Sequence, residues 1–117
     1  MAKNPEKPQN VSNNSLLESG EFNQYFLGEE KAGLDRQLSE AYSKKIKHAY
    51  YAAASYSDAQ IGLILDELKA LDLDQNTIVI VWGDHGWHLG EQQIWGKHTL
   101  FENALNSALI FKIPGSK

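Results

Sequence analysis

The hydrophobic pattern divides the 117-residue chain into a polar lead-in and a patterned remainder. Residues 1–20 are rich in Asn, Ser, Pro and Lys with no apolar period, which predicts a loop or disordered tail. Residues 21–40 are mixed and interrupted by Gly28 and Gly33, with a short helix expected near Leu34–Ala41. From 41 to 71, Ala54, Ile61, Leu65 and Leu68 recur at helical spacing and predict one long helix with an apolar stripe. Tyr50, Tyr51 and Tyr56 are expected to widen its buried surface. Gly62 costs about 1 kcal/mol relative to Ala in a helix interior, so a close packing contact is expected there.

A polar turn, Asp72 to Asn76, precedes the β-branched run Thr77-Ile78-Val79-Ile80-Val81-Trp82. That run reads as a strand buried on both faces, and helix, turn and strand together form a unit of the kind that builds parallel sheets. A polar-aromatic loop then runs to about Thr99, followed by a short helix over Leu100–Leu105. A second strand, Ala108 to Ile113, stops at Pro114-Gly115. The two strands are expected to be neighbours in one sheet.

Composition narrows the chemistry. Net charge is −4 and no Lys/Arg run builds a basic stripe, so a nucleic-acid partner is not expected. The chain has no cysteine, which excludes disulfides and thiolate metal sites within it. No run of 18 apolar residues forms a membrane span, and Met1 to Asn14 lacks the apolar stretch of a secretory signal.

The informative segment is Trp82 to His98. Asp84 and His85 sit together at the C-terminal end of the strand, the edge where ligands bind in open α/β sheets. Gly83 and Gly86 let the backbone turn and approach closely. The pair fits a metal site, but taken alone an Asp beside Gly is more often ordinary turn chemistry. His88 is expected as a surface or packing histidine, Glu91 as a solvated side chain, and Trp87 and Trp95 as loop anchors. Lys97-His98 places a cation beside a possible cation, and the two repel unless an anion or carboxylate lies between them. An anionic substrate would supply one.

Four blocks resemble the sulfatase family of the alkaline phosphatase superfamily. Tyr50-Tyr51-Ala52-Ala53-Ala54-Ser55-Tyr56-Ser57-Asp58-Ala59-Gln60-Ile61-Gly62 is similar to its long helix. Gly83-Asp84-His85-Gly86-Trp87-His88-Leu89-Gly90-Glu91 is similar to its metal motif. Trp95-Gly96-Lys97-His98-Thr99-Leu100-Phe101-Glu102 is similar to its lysine-bearing loop, and Leu109-Ile110-Phe111-Lys112-Ile113-Pro114-Gly115 to the strand after it. Their order and spacing agree over residues 41–115, and Asp-His-Gly-Trp places the chain nearest the iduronate-2-sulfatase-like branch.

The resemblance implies an α/β fold: part of an alkaline-phosphatase-like mixed or parallel sheet with flanking helices. Residues 1–40 would be a loop-rich or partly disordered lead-in, and 41–117 the C-terminal part of a catalytic domain. It implies hydrolysis of sulfate esters, with Asp84 and His85 as metal ligands and Lys97 on the sulfate. His98 would contact the substrate or leaving group, or else pack the loop. The expected ion is calcium, with magnesium, manganese or zinc as alternatives. His85 strains the calcium expectation, since calcium prefers oxygen ligands and imidazole suits softer ions.

The implied partner is a sulfated small molecule or glycan, not nucleic acid or membrane, in a secreted, periplasmic or lysosomal setting. Family members use a formylglycine made from Cys or Ser in a Cys/Ser-x-Pro/Ala-x-Arg motif. That motif is absent here, so the 117 residues alone are expected to be inactive. Asn106-Ser107-Ala108 also departs from the family's Arg-x-Pro and is expected to alter loop packing. Two other readings stand beside this one: a phosphodiesterase or phosphonate hydrolase of the same superfamily, and a catalytically inert truncated module.

Overall fold

A computed structural model describes residues 2–25 and 29–115. Gly28, expected as an interruption, lies outside the described residues. In chain order the elements are α1 (Gly20–Tyr25), α2 (Glu40–Ala70), β1 (Val79–Trp82), β2 (His88–Leu89), β3 (Trp95–Gly96), α3 (Glu102–Leu105) and β4 (Leu109–Lys112). A 3-10 turn over Asn13–Ser15 precedes α1, and another spans Glu91–Gln93. The chain divides into two units, Met1–Lys47 with Asp84–Ser107, and His48–Gly83 with Ala108–Lys117.

The first unit holds the buried core. Phe22, Ala32, Leu38, Tyr42, Ile46 and Trp95 pack together, with Leu89 against them. Residues 2–19 are irregular apart from one 3-10 turn, as a loop was expected to be, but their later part packs: Leu16 and Ser19 are buried, and the Trp95 backbone N–H donates to Ser19 Oγ at 2.9 Å. The Asn23 side chain pairs with both backbone groups of Ala32, at 2.8 and 2.9 Å. The helix expected over residues 34–41 is not there. Gly33 and Arg36 bridge each other instead, and α2 starts at Glu40, after Ser39, whose Oγ accepts from the Tyr42 N–H. A Ser at that position satisfies a helix N–H that has no partner inside the helix, so the cap fixes the start.

In the second unit, β1 and β4 are neighbours as expected, and their pairing is antiparallel, with Val79 opposite Lys112 and Trp82 opposite Leu109. Lys112 Nζ lies 3.8 Å from Asp74 Oδ2, at the turn that feeds β1. The expected burial on both faces is corrected. Ile80, Trp82, Leu109, Ile110 and Phe111 are all exposed, because two strands alone have no layer above or below them.

The helix shows the same pattern in this unit. Tyr50, Tyr51, Tyr56, Leu63, Ile64 and Leu65 are exposed, Ala54 likewise, and Ile61 and Leu68 are half-buried. The packing contact expected at Gly62 is absent, since a Cβ there would meet nothing within 4 Å. Sequence periodicity marks a face meant for burial, but does not say which atoms cover it. Among the described residues no helix is long and apolar enough to cross a membrane.

Candidate functional site

All four residues singled out for chemistry belong to the first unit. Asp84 and His85 directly follow β1 and Gly83. The Gly86 N–H donates to the Ala104 carbonyl at 2.7 Å, so the turn is pressed against α3. This contact requires glycine: a Cβ at Gly86 would overlap the Asn103 carbonyl oxygen and lie 2.6 Å from that of Asn106. His85 Nδ1 lies 2.8 Å from the Gly86 carbonyl. A carbonyl only accepts, so Nδ1 carries the proton. That leaves His85 Nε2 facing Asp84, 3.6 Å from Oδ1. The Asp84 side chain is 84% exposed.

Two donors converge in this way, one carboxylate oxygen and one imidazole nitrogen. Their separation suits two ligands of one ion. No third His, Cys, Asp or Glu joins them among the described residues. The pair fits part of a metal site, and six or more oxygen ligands around calcium require donors beyond it.

The loop that follows is a built hairpin, where only a loop was expected. β2 and β3 pair antiparallel, with His88 opposite Gly96 and Leu89 opposite Trp95. Gly90 turns the chain at φ 104°, with the Trp95 ring 3.0 Å from where a Cβ would stand. Glu91, expected to be solvated, instead accepts the Leu89 N–H through Oε2 at 2.7 Å and closes the turn. Trp95 anchors the hairpin as expected: it is buried and meets the Phe22 ring at 5.6 Å between centroids.

His88 proves to be a packing histidine, fully buried. Its Nε2 lies 2.9 Å from Thr99 Oγ1, which ties the hairpin to the segment carrying Lys97 and His98. Burial holds its pKa below the ordinary 6.5, although Glu91 and Gln92 pull the other way. The linkage sign follows. Below pH 6.5 the unfolded chain binds a proton that the folded hairpin resists. The stability from burying neutral His88 is thus present above about pH 6.5 and declines as pH falls towards the folded value. Thermal midpoints between pH 8 and 5 should fall more steeply in the wild type than in His88→Gln. Parallel slopes would refute this.

Lys97 follows β3 and its ammonium stands 5.9 Å from the centroid of the Trp87 ring. The other side of this bridge is His85, whose ring centroid is 6.5 Å from that of Trp87. Trp87 thus links the Asp84–His85 pair to Lys97, a role that the anchor expectation did not include. The carboxylate needed between Lys97 and His98 is supplied by Glu21 on α1. Lys97 Nζ is 3.2 Å from Glu21 Oε1, and His98 Nδ1 is 3.8 Å from Glu21 Oε2. Burial would raise the pKa of Glu21, but Lys97, Tyr25 and His98 together hold it below the ordinary carboxylate value.

Sequence reasoning missed Glu21, 76 positions before Lys97. Its only trace was the requirement for a negative charge beside the neighbouring Lys97 and His98. Leu17, Glu18, Gly20, Gln24, Glu21, Lys97 and His98 line an open cleft of ≈ 500 Å³. A second cavity, ≈ 380 Å³, is bordered by Leu38, Lys44, Leu89 and Trp95 and contains none of these groups.

Residues 5–115 match the family model described as Sulfatase. Over 74 residues the chain is 42% identical to iduronate 2-sulfatase of Homo sapiens, covering 63% of this chain and 14% of that protein. It is 44% identical over 71 residues to a sulfatase of Formosa agariphila, with 61% and 14% covered. Arylsulfatase K of Canis lupus familiaris is 39% identical over 74 residues, with 63% and 14% covered. The match thus spans about one-seventh of the length of these relatives.

Proposed function

This chain belongs to the sulfatase family, and from that premise we propose that it supplies the sulfate-binding loop and part of the metal site of an enzyme hydrolysing sulfate esters. The observation that carries the proposal is the Trp87 bridge, which joins the Asp84–His85 pair before the hairpin and the Lys97 ammonium after it. Asp84 and His85 would hold a cation, and residues outside 1–117 would complete its coordination and provide the formylglycine nucleophile. A bound calcium ion would draw charge from the sulfate oxygens.

The chain's own groups do the rest. The Lys97 ammonium lies along the sulfate and offsets its negative charge, an interaction that gains strength as water leaves the cleft. The indole of Trp87 covers the space between metal pair and ammonium. His98, half in solvent, stands at the cleft edge with its Nδ1 towards Glu21, so that a proton on its Nε2 would be donated to the departing oxygen. The substrate is a sulfated small molecule or glycan, met in a secreted, periplasmic or lysosomal compartment.

The test uses the sulfatase polypeptide that carries this segment. Chelation should abolish hydrolysis of an aryl sulfate, and calcium should restore it better than zinc or manganese. Asp84→Ala should remain inactive at calcium concentrations that saturate the wild type. Restoration by zinc or manganese, with a phosphodiester preferred over the sulfate ester, would defeat the proposal in favour of phosphoryl chemistry.

A further inference from the structure

We propose that Glu21 is a positioning residue for the sulfate-binding loop: it fixes the Lys97 ammonium and the His98 imidazole so that both face the cleft. The inference rests on the sulfatase reading of Lys97. Glu21 comes from α1, far from the loop in sequence, yet its carboxylate reaches both groups. Oε1 takes one of the three ammonium protons at 3.2 Å, which leaves two donors for an anion. Oε2 is buried and has no hydrogen-bond partner within reach among the described residues, with His98 Nδ1 at 3.8 Å. A buried carboxylate oxygen without a partner is costly. A small approach of His98 would satisfy it, with Nδ1–H donating and Nε2 turned outward.

The carboxylate itself is held in place. The hydroxyl of Tyr25, one turn along α1, donates to Oε1 at 3.3 Å. Phe22, next in the chain, is locked against Trp95, and the Trp95 N–H is held by Ser19. The groups facing Glu21 are thus Lys97, His98 and Tyr25. Glu21, Lys97 and His98 all line the same cleft.

This arrangement predicts an unusual kinetic pattern. A carboxylate beside an anion site repels the substrate, so a residue that merely tuned charge would weaken activity by being present. A positioning residue behaves otherwise. Glu21→Gln removes the repulsion and also releases the ammonium and the imidazole. The expected result is a kcat about tenfold lower with KM unchanged or lower. Glu21→Asp, which keeps the charge but withdraws it by one methylene, should fall between Glu21→Gln and wild type.

The decisive arm is a double-mutant cycle with Lys97→Ala in the sulfatase polypeptide that carries this segment. If Glu21 acts through Lys97, adding Glu21→Gln to Lys97→Ala should cost several-fold less in kcat/KM than adding it to the wild type, the remainder being what His98 carries. Equal losses in both backgrounds would overturn the proposal, as would wild-type kcat in Glu21→Gln and Glu21→Asp while Lys97→Ala is impaired. If Lys97→Ala itself has no effect, the sulfate reading of Lys97 fails and takes the proposal with it. The wild-type chain gives a check that needs no variant to fold: carbon-detected titration should show Glu21 ionising below an ordinary glutamate, and an ordinary value would count against the pairing.

Discussion

Lys97→Ala is expected to lower kcat/KM for a sulfate ester by about 30- to 1000-fold, a loss of roughly 2–4 kcal/mol in transition-state stabilisation. KM should rise and kcat should fall. The loss has two sources. The sulfate loses its ammonium, and Glu21 keeps a carboxylate at the cleft whose nearest cation has gone. The second source means that the alanine variant overstates the direct contact. Lys97→Arg should recover only part of the activity, because a planar fork does not replace a compact ammonium under Trp87. Folding should change little, since Lys97 contributes to the cleft and not to the core around Phe22 and Trp95. Steady-state kinetics of the three proteins decide the matter. Wild-type kcat/KM in Lys97→Ala, with activity abolished in Asp84→Ala, would remove Lys97 from the sulfate site.

Gly86→Ala is the substitution with the largest expected structural effect. One added methyl would run into the carbonyls of Asn103 and Asn106. These are backbone atoms of α3 and its end, so neither can swing aside as a side chain would. The turn must move, breaking the bond from the Gly86 N–H to Ala104 and the seat that the Gly86 carbonyl gives His85. Overpacking of this kind costs about 2–3 kcal/mol, or on the order of ten degrees in thermal midpoint for a domain of this size. The control is Gly62→Ala. No atom stands in the way there, and replacing a helical Gly with Ala should raise helix stability by about 1 kcal/mol. Thermal unfolding and hydrogen exchange at Ala104 would report both. A Gly86→Ala protein as stable as wild type, with Ala104 protected, would show that the turn is not pinned as described.

The local elements were legible in the sequence because their causes are local. The apolar period set the long helix almost to the residue, the β-branched run set β1, and Pro114-Gly115 ended β4. The Asp84-His85 pair and Lys97 were identified as candidates from their neighbours and their family resemblance, and the structure brings them within reach of one indole ring. Other features had no local cause to read. The sequence of residues 1–20 shows no period, yet Ser19 and Leu16 become buried because Trp95, about two-thirds of the chain away, needs a partner for its backbone N–H and a neighbour. Glu91 looks like any surface glutamate until the tight Gly90 turn brings its carboxylate to the Leu89 N–H. The antiparallel sense of β1 and β4 depends on how the chain returns after the hairpin and α3, which the composition of neither strand encodes.

Burial was the least readable quantity. An apolar face states a demand, and only the packed structure shows whether atoms meet it: they do around Phe22, and they do not along β1, β4 and the Tyr50–Leu65 part of α2. By itself, then, the sequence determined the long helix and the two strands β1 and β4, the candidate chemistry on one loop, and the need for a negative charge beside Lys97 and His98. Only the tertiary structure decided that Glu21 supplies that charge. A carboxylate 76 residues away costs little to bring near once Phe22 has docked on Trp95, and no spacing rule along the chain records that contact.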